Sequence, residues 1–229
     1  MKLNKIEHVF FDLDHTLWDF DKNSSLTFLE IFKKWNISLK LEEFMEVYIK
    51  VNLKYWELYR DNRVSKEILR YGRLKDSFDS LKYTTSDDVI YGLSKDYIDF
   101  LPRNKHLLDG TLEILQYLKR KYKLHIITNG FEEVQRKKMA TSGIAEFFHT
   151  ITTSEEAGVK KPHLLIFKIA LEKAGATAIN SVMIGDNYEA DILGSEKYGL
   201  QSIYFDYYRS SEISDIRQIQ TLKDLVKFL

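Results

Sequence analysis

The chain has 229 residues, 44% of them hydrophobic and 30% charged, which suits one large globular domain or a core carrying a second, smaller one. Lys+Arg and Asp+Glu balance at 34 each, so no global field draws the chain to a nucleic-acid polymer or a membrane surface. The absence of cysteine excludes disulfides, thiolate metal sites and a Cys nucleophile. No apolar run approaches the roughly 18 residues of a membrane span, and no long apolar segment follows the charged N-terminus as a signal peptide would require. A cytoplasmic location is the expectation.

Ile6–Phe11 reads as a buried strand that runs into Asp12-Leu13-Asp14-His15-Thr16. Alternation along a strand puts residues i and i+2 on one side, so Asp12 and Asp14 are expected to converge on one point beyond the strand. From about 21 to 101 there is no convincing strand. Helical patterns cover Ser24–Trp35, Leu41–Arg60, Lys66–Ser80 and Ser86–Phe100, with Phe44, Val47, Tyr48, Val51 and Tyr55 at spacings of three and four. This predicts a four-helix insertion, residues 18–102, within a core of residues 1–17 and 103–229. Tyr55, Trp56 and Tyr59 are expected in its core, and Arg60, Arg63, Arg70 and Arg73 as a largely solvated basic set.

After Pro102 strands and helices alternate. Strands are expected at Leu124–Ile127, Thr150–Thr152, Val182–Ile184 and Ser202–Phe205. Helices are expected at Leu112–Lys121, Glu132–Ser142, Leu164–Ala174 and Tyr188–Lys197, with a closing helix over Leu222–Leu229. Such alternation predicts an α/β fold: a parallel sheet with helices on both faces.

Four polar clusters follow strands or open helices: Asp12 to Thr16, Thr128-Asn129-Gly130, Lys160-Lys161-Pro162, and Gly185-Asp186 through Asp191. Each alone has a plain structural explanation as a turn, a solvated loop or a helix cap. Together, in this order, they fit phosphoryl transfer at the edge of a parallel sheet. Asp12 is expected to attack phosphorus, and Asp14 to protonate the leaving oxygen and then deprotonate water. The Thr128 hydroxyl and nearby backbone N–H groups would hold phosphate oxygens, Thr16, Asn129 and Gly130 are candidates for binding substrate, and Lys161 would neutralise charge on the phosphate and on Asp12. Asp186 would complete an oxygen site for Mg²⁺, and Asp191 would orient Lys161 or a metal-bound water. Trp18 is a candidate for stacking on a substrate base. The six histidines show no ligand spacing, which argues against zinc.

Asp12-x-Asp14-x-Thr16, Thr128, Lys161-Pro162 and Gly185-Asp186-x4-Asp191 resemble the four motifs of the haloacid dehalogenase superfamily, in order. The resemblance implies a Rossmann-like sheet of order 5-4-1-2-3 with a helical cap inserted after the first motif. It also implies a Mg²⁺ site formed by Asp12, the Asp14 backbone carbonyl and Asp186. The string from Phe11 to Phe20 resembles the YjjG-like branch, which includes pyrimidine 5′-nucleotidases. The implied activity is Mg²⁺-dependent hydrolysis of small phosphate esters, such as nucleoside 5′-monophosphates, through an aspartyl-phosphate. Alternatives are a phosphomutase of the β-phosphoglucomutase type, a broad sugar-phosphate phosphatase, or a non-catalytic binding module. Asp14 argues against a true dehalogenase, whose leaving group needs no acid.

Overall fold

The structure, a computed structural model, describes residues 2–209 and 216–229. The chain divides into two compact units, Asp21–Asn104 and Met1–Phe20 with Lys105–Leu229.

The first unit is helical: α1 (Phe20–Lys34), α2 (Leu41–Arg60), α3 (Lys66–Ser80) and α4 (Asp87–Phe100). Ser65 and Ser86 begin α3 and α4 by accepting a hydrogen bond from the backbone N–H three residues on, at 3.2 and 3.4 Å, the usual work of an N-cap hydroxyl. The helices meet on an aromatic core. Phe28 lies 4.5 Å from Tyr48 and 4.8 Å from Tyr97 between ring centroids, and Phe44 lies 5.2 Å from Phe78. Tyr59 is buried, as expected, whereas Tyr55 and Trp56 are half-buried. The expectation of a solvated basic set fails at Arg73, which is buried: its Nη1 donates to Asn52 at 2.9 Å and its guanidinium lies 4.7 Å from the Tyr97 ring centre. Long aromatic neighbours give the guanidinium a face to pack against, which a solvated position would not.

The second unit contains β1 (His8–Phe11), β2 (Lys123–Thr128), β3 (Phe148–Thr153), β4 (Ser181–Gly185), β5 (Gln201–Phe205) and β6 (Gln218–Ile219). They form one parallel sheet in the order β3-β2-β1-β4-β5-β6. The expected five strands run in the expected order, and the sheet differs from that expectation by the added edge strand β6. Two residues carry too little periodicity to announce a strand. Helices α5 (Thr111–Lys119), α6 (Glu132–Thr141), α7 (Ser154–Ala157), α8 (Leu164–Ala174) and α9 (Gly194–Tyr198) complete the unit. Ile166, Phe167 and Ala170 of α8 bury against Phe10, Ile127 and Met183 of the sheet. The central strands are buried on both faces, which explains why they read as continuous apolar runs rather than alternating ones.

Two expectations at the helices are corrected. The segment Tyr188–Lys197 opens with a π-helical turn, Tyr188–Leu193, before α9 begins. The closing segment is a 3₁₀ helix, Leu222–Lys227, rather than an α-helix. Among the described residues no helix is long and apolar enough to cross a membrane.

The sheet fixes where chemistry can occur. β1 pairs with β2 on one side and β4 on the other, with Phe11 opposite both Ile126 and Ile184. The chain therefore leaves β1, β2 and β4 at one edge, where the strand order switches direction, and open α/β sheets bind ligands at such a point.

Candidate active site

Asp12 follows directly on β1, its backbone N–H donating to the Ile184 carbonyl at 2.9 Å. It is 8% exposed. Its Oδ1 accepts from Lys161 Nζ at 2.6 Å. The same ammonium lies 2.6 Å from Asp191 Oδ1 and donates to the Ile127 carbonyl at 2.7 Å. Lys161 thus meets three oxygens, donating hydrogen bonds to Asp12 and the Ile127 carbonyl and pairing its charge with Asp191. Burial works against its charge, but Asp12 and Asp191 outweigh that and raise its pKa above the usual lysine value. Asp12 is pushed well above the ordinary carboxylate range by burial, against the pull of Lys161 and with the repulsion of Asp191 and Asp186.

The loop that delivers Lys161 is tied by Asn129. The Asn129 side chain accepts from the Lys161 backbone N–H at 2.8 Å and donates to the Lys161 carbonyl at 3.0 Å. A side chain committed in this way sets the loop, so any hold Asn129 has on phosphate falls to its backbone. Asp191 is placed by the π-helical turn: its Oδ2 accepts from Asn187 N–H at 3.0 Å, and Asn187 Oδ1 caps the turn through Ala190 N–H at 2.9 Å. Gly185 makes this possible, because a Cβ there would collide with the Asp191 carboxylate.

Asp14 departs from the sequence expectation. β1 ends at Phe11, so strand alternation does not reach Asp14. His15 instead adopts a left-handed conformation, φ 60°, and the turn sends Asp14 and Thr16 to different partners. Asp14 accepts from Lys138 Nζ at 2.6 and 2.9 Å and from Gln135 Nε2 at 3.0 Å. Thr16, expected against substrate, is fully buried and donates to Asp186 Oδ1 at 3.0 Å. Asp186 titrates at about 6, raised by burial and by Asp191 and held down by His15, Thr16 and Lys161. Thr128 Oγ1 accepts from Gln135 Nε2 at 2.8 Å and from Gly130 N–H at 3.1 Å, which leaves its O–H to donate elsewhere. Trp18, a candidate for stacking on a base for which packing is the more ordinary role, is fully buried, with the Lys138 ammonium 4.3 Å from its ring centre and Phe20 set edge-on at 6.3 Å. It presents no open face.

Gln135 and Lys138 are the residues that sequence reasoning missed. They lie within the buried stripe of α6 with Val134 and Met139. Polar residues at positions where the helical period calls for apolar ones are a legible signal.

Oxygens of Asp12, Asp186 and Asp191 lie within 4.8 Å of one another. Three carboxylates around one lysine leave an excess of buried negative charge, and an all-oxygen donor set is what a hard divalent cation takes. The residues present therefore fit Mg²⁺. The Asp14 side chain is engaged by α6, so Asp14 could serve a cation only through its backbone carbonyl.

Comparison with known proteins agrees with this geometry. The pyrimidine 5′-nucleotidase YjjG of Escherichia coli is 29% identical over 96% of this chain and 95% of its own. A glyceraldehyde 3-phosphate phosphatase of Methanothermobacter thermautotrophicus is 29% identical over 86% of this chain and 84% of its own. The crystal structure of the HAD-hydrolase YfnB of Bacillus subtilis, bound to magnesium, superposes with a TM-score of 0.87 at 25% identity, over 98% of both chains. The family model of the haloacid dehalogenase-like hydrolases matches residues 6–199, and the chain belongs to that family.

Proposed function

We infer that the enzyme is a Mg²⁺-dependent phosphomonoesterase of small phosphate esters, with nucleoside 5′-monophosphates, pyrimidine nucleotides above all, as the preferred class. The observation that carries this reading is the separation of the two carboxylates. Asp12 is buried on Lys161 at 2.6 Å, while Asp14, two residues on, is held by Lys138 and Gln135. One pentapeptide thus supplies two carboxylates in different surroundings, which is how a nucleophile and a proton shuttle are kept distinct.

In this reading an Asp12 oxygen attacks phosphorus while the bond to the ester oxygen breaks. Asp14 passes a proton to that leaving oxygen, and the alcohol departs. Water then attacks the phosphorus of the aspartyl-phosphate, Asp14 takes its proton, and phosphate and free Asp12 result. Thr128 O–H and the Gly130 region hold phosphate oxygens, and Lys161 keeps Asp12 oriented while opposing the charge that gathers there. Bound Mg²⁺, held by Asp12, Asp186 and the Asp14 carbonyl, would draw charge off the phosphoryl oxygens. Asp191 keeps Lys161 in place. The identity and coverage of the nucleotidase support the nucleotide class, and a 2-haloacid would leave Asp14 without a task, since a departing halide needs no proton.

A phosphate-release panel of nucleotides, sugar phosphates, triose phosphates and phosphorylated amino acids, run with Mg²⁺, tests the reading. Pyrimidine 5′-monophosphates should turn over fastest, EDTA should abolish release and Mg²⁺ should restore it. Preferred turnover of a sugar or triose phosphate would replace the substrate class. Full activity of an Asp12→Asn protein would remove the mechanism.

A further inference from the structure

We propose that Lys138 and Gln135 are positioning residues for Asp14, fixing the direction in which it exchanges protons. The inference rests on the phosphomonoesterase reading for the task it gives Asp14, but the arrangement stands on its own geometry. Lys138 is 2% exposed and meets both Asp14 oxygens, at 2.6 and 2.9 Å. Its ammonium also lies 4.3 Å from the Trp18 ring centre and 5.3 Å from that of Phe20. The charge is therefore confined by two aromatic faces, and a long flexible side chain becomes a fixed donor. Gln135 is fully buried, and its single amide nitrogen serves both Asp14 Oδ2 at 3.0 Å and Thr128 Oγ1 at 2.8 Å. Gly130 leaves the space for it, since a Cβ there would collide with the Gln135 amide.

A surface carboxylate needs none of this. Desolvating a lysine is costly unless its charge is paired and hydrogen-bonded, and here the pairing falls on a carboxylate that is 23% exposed on its side chain. The pair ties the proton carrier to the threonine at the end of β2, so that both come to a phosphate ester in a set relation. Neither Lys138 nor Gln135 itself needs to touch substrate. Positioning of this kind acts on the step in which Asp14 moves a proton and spares a step that needs none.

The leaving group separates those steps. The alkyl oxygen of an alkyl phosphate departs as an alkoxide unless protonated, whereas p-nitrophenolate departs unaided. Single-turnover rates with Mg²⁺ should be measured for an alkyl phosphate and for p-nitrophenyl phosphate, in wild type, Lys138→Met and Lys138→Arg. In Lys138→Met the alkyl ester should slow by about 10²-fold, within the range general acid catalysis supplies. The p-nitrophenolate burst should change by less than about threefold, and substrate affinity should hold. Lys138→Arg should recover a large part of the alkyl rate, because a guanidinium can still meet both carboxylate oxygens. Equal slowing of both esters, no slowing of either, or a faster alkyl rate would overturn the proposal. Wild type that releases phosphate from neither ester would instead overturn the phosphomonoesterase reading. Thermal unfolding of each variant, recorded alongside, identifies a protein that has lost its fold, and Lys138→Arg then carries the comparison.

Discussion

Lys161 is the residue on which the site is built. Its ammonium joins Asp12, Asp191 and the Ile127 carbonyl inside a side-chain exposure of 2%. Removing one partner of a buried ion pair typically costs about 3–5 kcal/mol, because the remaining charge stays buried without compensation. Lys161→Met should therefore lose about that much in urea unfolding. Adding Asp191→Asn to it should return part of the loss, since one of the two stranded carboxylates is then neutral, and a double-mutant cycle reads the coupling. Additive losses would mean that Lys161 and Asp191 do not depend on each other. That Asp12, Lys161, Asp186 and Asp191 come together is readable in the sequence, because each belongs to a polar cluster that follows a strand or opens a helix and the four clusters occur in one order. The roles of Thr16 and Asn129 were not. Both residue types bind phosphate as readily as they bind a neighbouring loop, and only the partners at Asp186 and at the Lys161 backbone decide between them.

Three sheet strands share a polar row whose two histidines are buried. His8 on β1 has its Nδ1 3.0 Å from His125 Nε2 on β2, and His125 Nδ1 lies 2.8 Å from Thr150 Oγ1 on β3. Burial first, then His8, His149 and Lys123, lower the His125 pKa to about 3, and burial lowers that of His8. An unfolded imidazole titrates near about 6.5. Between these values the unfolded chain takes up a proton that the folded chain refuses, so the stability held above about 6.5 is lost progressively as pH falls toward about 3. The urea midpoint should drop between about pH 7.5 and about pH 5, and less steeply in His125→Phe. An unchanged slope in the variant would show that the row does not titrate this way. Elements of strong periodicity, such as α2 and β2, could be read from the chain with small boundary errors. The π-helical turn at Tyr188–Leu193 could not, because Asn187 and Asp191 bend the helix start through their own side-chain bonds. The burial of Arg73 is hidden for a related reason: a helical arginine among other arginines reads as solvated until a neighbouring ring and Asn52 enclose it.

At the scale of the whole molecule, the sequence predicts a four-helix insertion and a parallel sheet, and the sheet order is what the family resemblance implies. The edge strand β6 and the α6 contacts to Asp14 were beyond it. The first is too short, and the second joins residues more than a hundred positions apart. In the proposed mechanism Asp12 carries the phosphoryl group and Asp14 moves the protons. Asp14→Ala separates these roles. With p-nitrophenyl phosphate and Mg²⁺ the first transfer needs no acid, while release of the phosphoryl group lacks its base, so the intermediate should accumulate. Acid quenching followed by peptide mass spectrometry should find a phosphoryl group on the peptide containing Asp12, alongside a burst of one equivalent of p-nitrophenolate. A phosphoryl group on any other residue, or the same adduct in an Asp12→Asn/Asp14→Ala protein, would contradict the assignment.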